Sequence, residues 1–94
     1  MPPKIQLSGY MDVTPDRIEA VAKALIDHIA LTRAEAGCLS FEVIPSPDVQ
    51  GRFLVEETFV DRVAFDQHQT RAGTSPWAEI TTGLPRDYTI TEIA

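Results

Sequence analysis

From Lys4 to Asp12 apolar and polar positions alternate, with Ile5, Leu7, Gly9 and Met11 on one side and Gln6, Ser8, Tyr10 and Asp12 on the other. A period of two marks a half-buried strand, so the chain opens on one. The period then changes. Ile18, Val21, Ala22, Leu25, Ile29 and Thr32 recur at helical spacing. They follow Thr14-Pro15-Asp16, whose hydroxyl, fixed φ and acid suit a helix start. One amphipathic helix is predicted over about Pro15–Glu35, ended by a left-handed Gly37. Cys38–Ile44 alternates again, Leu39, Phe41 and Val43 against Ser40 and Glu42. Arg52–Val60, RFLVEETFV, is rich in β-branched and aromatic residues, and PSPDVQG between the two runs has the chemistry of a hairpin turn. Asp61 caps a second helix through about Thr70. Ser75-Pro76 opens a short one carrying Trp77, Ile80, Thr81 and Leu84, and Arg86–Ile93 closes the chain as a strand.

The order is β-α-β-β-α-β, a ferredoxin-like α+β fold with helices on one face of an antiparallel four-stranded sheet. The other face collects Ile44, Leu54, Val60 and Ile93 with Ser40, Thr58, Thr89 and Thr91. That mixture is too apolar to stand in water and too polar for a monomer core, which predicts a homodimer formed by a second sheet under two-fold symmetry. Length agrees: residues 1–94 read as one domain, and a chain this short buries only roughly 60–65% of its unfolded surface on its own.

Net charge is −6, and the eight Lys and Arg are scattered rather than striped. Neither nucleic acid nor a membrane surface is an expected partner. The chain shows no bilayer-length apolar run and no basic-then-hydrophobic leader, and it has a single cysteine, Cys38, so a cytoplasmic location is expected. Two distant histidines and one cysteine give no metal-ligand spacing, and neither a phosphate-cradling glycine loop nor a nucleophile elbow is present.

The residues left to carry chemistry are few. His68 falls three places after Phe65, on or beside the face that meets the sheet, where an imidazole could take a proton from a phenol or enol. The plainer reading is a histidine satisfied by one buried hydrogen bond. Glu57 shares strand parity with Phe53, Val55 and Phe59, so it is buried if they are, and it then shifts its pKa or requires a cation. Arg33 or Arg86 could supply that cation, and a structural salt bridge is the plainer outcome. Trp77, Tyr88, Phe41 and Phe59 could wall a flat aromatic pocket between helices and sheet. His28 lies on the flank of the long helix, and Arg71 to Ser75, with Gly73, reads as a mobile lid.

The segments RAEAGCLSFEV, GRFLVEETFVDRVAFDQH, SPW and RDYTI together resemble the antibiotic biosynthesis monooxygenase family of dimeric α+β barrels. The likeness covers nearly the whole chain, and its most specific piece is Glu57-x-Phe59-x-Asp61 followed by Phe65-x-x-His68. It implies two sheets closed into one barrel, with a separate pocket in each chain. The family holds cofactor-free oxygenases of quinols and polyketide aromatics, haem-degrading enzymes and an isomerase of small phosphorylated ketones. Its haem-degrading members use an asparagine on the first strand and an axial histidine near the position of Thr81. This chain contains no asparagine, and no histidine follows His68. The ring oxygenases also lean on an asparagine with a tryptophan, of which only Trp77 has a counterpart. The resemblance therefore implies a cofactor-independent monooxygenase of a small phenolic or quinol ring, with His68 and Glu57 as the catalytic pair. Trp77, Tyr88, Phe59, Phe41 and Arg33 would bind the substrate. The alternatives are an enol–keto isomerase using the same pocket, and a stress-related module that binds a small ligand without turning it over.

Overall fold

The computed structural model describes residues 2–93. Strands β1 (Lys4–Asp12), β2 (Cys38–Pro45), β3 (Arg52–Phe59) and β4 (Arg86–Ile93) form one antiparallel sheet in the order β2-β3-β1-β4. Helices α1 (Ile18–Arg33), α2 (Arg62–Gly73) and α3 (Pro76–Ile80) pack on one face of it, giving the ferredoxin-like arrangement. The alternation in each strand decides which face. Ile5, Leu7, Met11, Phe41, Val43, Phe53, Val55 and Phe59 turn inward and meet Val21, Leu25 and Phe65 from the helices.

Four local readings are corrected. Pro15–Arg17 is a 3-10 turn, and the Thr14 hydroxyl caps nothing; the Thr14 carbonyl instead accepts the Arg17 N–H at 2.9 Å. The long helix ends at Arg33 rather than Glu35, which places Glu35 in the turn to β2. Gly37 does not adopt a positive φ. It is required by space, because a Cβ there would stand 2.3 Å from the Cβ of Ala64 on α2. The Asp61 carboxylate accepts the Ala64 N–H at 2.8 Å, and α2 runs on through Gly73. Arg71 to Gly73 is therefore helix and not lid.

On the sheet's other face the register sets Ile44, Leu54, Tyr10 and Asp87 in one row, Glu42, Glu56, Ser8 and Thr89 in the next, and Ser40, Thr58, Gln6 and Thr91 beyond. Ile44 is 52% exposed, and the Ser8 hydroxyl donates to Glu56 at 2.7 Å. Strand β4 pairs with β1 alone, and none of its described residues is buried.

Candidate functional site

Phe41 on β2 and Glu57 on β3 are cross-strand partners on the inward face, and α2 lowers His68 onto them from one turn beyond Phe65. The His68 ring lies 4.9 Å from that of Phe59 and is only 2% exposed. Its Nδ1 is 3.1 Å from Glu35 Oε1, a hydrogen bond, and its Nε2 is 3.7 Å from Glu57 Oε1, too long for one. The other Glu35 oxygen accepts Arg71 Nε–H, and Arg71 Nη2 donates to the hydroxyl of Thr32 at 2.9 Å. An acidic turn residue thus joins an arginine to a histidine, and it can do so because α1 stops short of it.

Burial governs the proton affinities. It pushes Glu57 up to about 7, with the nearby Glu35 charge adding to the effect, and Glu57 Oε1 has no hydrogen-bond partner. Burial also lowers His68, against an opposing pull from Glu35. Both shifts favour the neutral form of their group, a protonated carboxyl facing an unprotonated imidazole.

His28 stands next to this pair, its ring 6.1 Å from that of His68 and edge-on to Phe41 at 5.4 Å. It stacks flat on Trp77, with centroids 4.6 Å apart and planes 6° from parallel. Burial, helped by His68 and Arg71, lowers it to about 4, so it is neutral at physiological pH; its Nδ1 is sealed without a partner. The stacked rings line an open cavity of about 580 Å³ between α1 and α3, together with Ala24, Leu31 and Arg71.

The expected residues divide between two layers. Of those singled out for binding, only Trp77 lines this cavity. His68, Glu57, Phe41 and Phe59 lie one ring deeper, in the packed layer. Tyr88, half-buried on β4 opposite Gly9, belongs to neither wall, and burial raises its hydroxyl. Arg33 Nε donates to the Phe41 carbonyl at 3.1 Å on another flank, and Arg86 donates to Thr81. Neither arginine is the partner of Glu57; its nearest titratable neighbour across the layer is His68, 3.7 Å away. The chain pattern carries a sign of His28: it completes a buried 4-3-4 spacing with Val21, Leu25 and Thr32, three members of the predicted apolar stripe. Glu35 carried no sign, because the helix was read through it.

Among the described residues, no three His, Cys, Asp or Glu side chains gather as a metal site, and no helix is long and apolar enough to cross a membrane. A family model described as antibiotic biosynthesis monooxygenase matches residues 5–79. No curated protein matches. Among solved structures, an 18% identical Bacteroides thetaiotaomicron protein, described as a possible oxidoreductase, superposes with a TM-score of 0.86 over 99% of this chain and 100% of its own. A putative antibiotic biosynthesis monooxygenase of Nitrosomonas europaea, 22% identical, gives 0.85 over 98% and 91%. A Mycobacterium tuberculosis protein, 27% identical, gives 0.74 over 94% and 92%.

Proposed function

The chain belongs to the antibiotic biosynthesis monooxygenase family, and from that premise we propose that it is a homodimeric, cofactor-independent monooxygenase of a small phenolic or quinol ring. The observation that carries the reading is the stacked Trp77–His28 wall of a mostly apolar cavity, one ring away from the buried His68–Glu57 pair. Flat aromatic walls with few polar groups suit a planar substrate. In this reading the ring hydroxyl gives its proton inward, His68 and Glu57 hold it, and the ring anion passes its electrons to oxygen. For a quinol the balance closes without a further reductant: quinol and O₂ give a hydroxyquinone and water.

Oxygen consumption with a panel of quinols tests this directly. One O₂ should disappear per ring oxidised, and His68→Ala should lower kcat by about 10²–10⁴-fold, the usual worth of a positioned proton acceptor. Equal turnover under argon, or an unaffected His68→Ala, would remove the reading.

A second reading is favoured by Glu57 alone. A carboxyl poised near 7 beside an imidazole is the arrangement an enol–keto isomerase needs to move a proton between two substrate atoms. Turnover with no oxygen uptake would select it.

A further inference from the structure

We propose that Arg71 is the recognition group of the cavity, and that the ligand it selects is a planar aromatic ring bearing an acceptor oxygen, a phenol or a quinone carbonyl, laid on the Trp77–His28 stack. The proposal rests on the reading of this cavity as the substrate site. Arg71 reaches it from the last turn of α2 with its guanidinium fixed on two sides, Nε by Glu35 and Nη2 by Thr32, which is itself fully buried. Its Nη1 has no partner among the described residues, and the side chain lines the cavity.

A guanidinium offers five N–H groups and accepts nothing, so the unused donors call for an acceptor. Because the two existing bonds already hold the plane, little side-chain freedom is lost when a ligand oxygen arrives. The surroundings leave few rivals. The Ser75 hydroxyl is occupied by the Ala72 carbonyl at 2.7 Å, and Ala24, Leu31, Pro76 and Ile80 are apolar. Lys23 and Asp27 are exposed on α1 at the mouth, with opposite charges. Glu35 already balances much of the Arg71 charge, which favours a single neutral or phenolic oxygen over a carboxylate.

The same contact reaches the buried pair. The Glu35 carboxylate accepts from Arg71 at Oε2 and bonds His68 chiefly through Oε1. A ligand oxygen that draws on Arg71 leaves more of the Glu35 charge to His68, so an occupied cavity should raise the proton affinity of His68.

Calorimetric titration with 1-naphthol, naphthalene and 1-naphthoate, alongside the indole N–H resonance of Trp77, the chain's one tryptophan, tests the assignment. Naphthol should bind about tenfold more tightly than naphthalene, the worth of one well-made hydrogen bond, and more tightly than naphthoate, with the Trp77 resonance shifting on saturation. In Arg71→Met the naphthol preference should fall close to one while naphthalene affinity holds within about twofold. Should Arg71→Met not fold, Thr32→Val carries the test: it keeps the Glu35 contact, frees the guanidinium on one side, and should cut the preference at least about threefold. A preference that survives in the folded variant, tighter binding of naphthoate, or naphthol and naphthalene bound alike overturns the role of Arg71. Binding that leaves Trp77 unmoved overturns the cavity as the substrate site, and with it both readings. No step needs turnover, so a naphthol preference together with no oxygen uptake on the quinol panel sinks the oxygenase reading alone.

Discussion

Glu57 and His28 are two buried groups that respond to pH in opposite directions. Glu57 is raised from 4.5 to about 7, so the folded chain keeps a proton that the unfolded chain has lost. Its contribution to stability is fully present below about pH 4.5 and is lost as pH rises through 7, on the order of 3 kcal/mol at roughly 1.4 kcal/mol per unit. His28 is lowered from 6.5 to about 4, so its contribution is present above 6.5 and lost as pH falls through 4. Between these limits the slopes oppose, and stability should be level across mildly acidic pH rather than peaked. Glu57→Gln removes one slope: thermal melts should show the variant gaining on the wild type from pH 4.5 to about 7 and levelling off above it, and a difference that does not vary with pH would exclude the buried carboxyl as its source. Much of this was legible in the chain. The shared parity of Glu57 with Phe53, Val55 and Phe59 announced a buried acid, and Phe65-x-x-His68 placed an imidazole near it. Its ties to Glu35 and Arg71 were not legible, because both depend on where a helix stops.

At the scale of elements, the contact between the turn before β2 and helix α2 sets the height of His68 above the sheet. Gly37 and Ala64 touch with no room for a further carbon. Gly37→Ala must push α2 outward, which should cost about 1–3 kcal/mol in chemical denaturation. Ala64→Gly alone should cost about 1 kcal/mol as a helix glycine. Combined, the two should cost less than their sum, with a coupling of at least about 0.5 kcal/mol; strict additivity would show that the approach is not tight. The hydrophobic periods gave β1, α1 and β2, because burial on one face fixes the period directly, while β3 followed from its β-branched and aromatic composition and α2 from its Asp61 cap. They missed the reason for Gly37, since a demand for empty space between elements distant in sequence leaves no periodic trace. The Thr14 start failed likewise, because a proline and an acid accommodate a 3-10 turn as readily as a regular helix.

For the whole molecule the second sheet face, with Ile44 half exposed on it, is the surface left without a helix layer. The described residues expose 5877 Å², somewhat above the roughly 5400 Å² of a compact 10.4 kDa monomer, and the body extends 44 Å in its longest direction but 19 Å in its shortest. If a second copy seals that face, Ile44→Glu, placed beside the Glu42 and Glu56 row, should halve the mass seen by light scattering at micromolar concentration while leaving the far-ultraviolet spectrum intact. A monomeric wild type would retire the dimer. One strand stands apart from this economy of contacts. Among the described residues strand β4 contributes no fully buried side chain, only the half-buried Tyr88 packed against the core, bonds to a single neighbour, and lies wholly beyond residue 79, where the family match ends. Its amides should trade hydrogen for deuterium well ahead of those in β1 and β3. A chain cut before Arg86 and given the missing segment as a free peptide is therefore a natural candidate for reassembly, a two-piece version of the protein in which the last strand is supplied from outside.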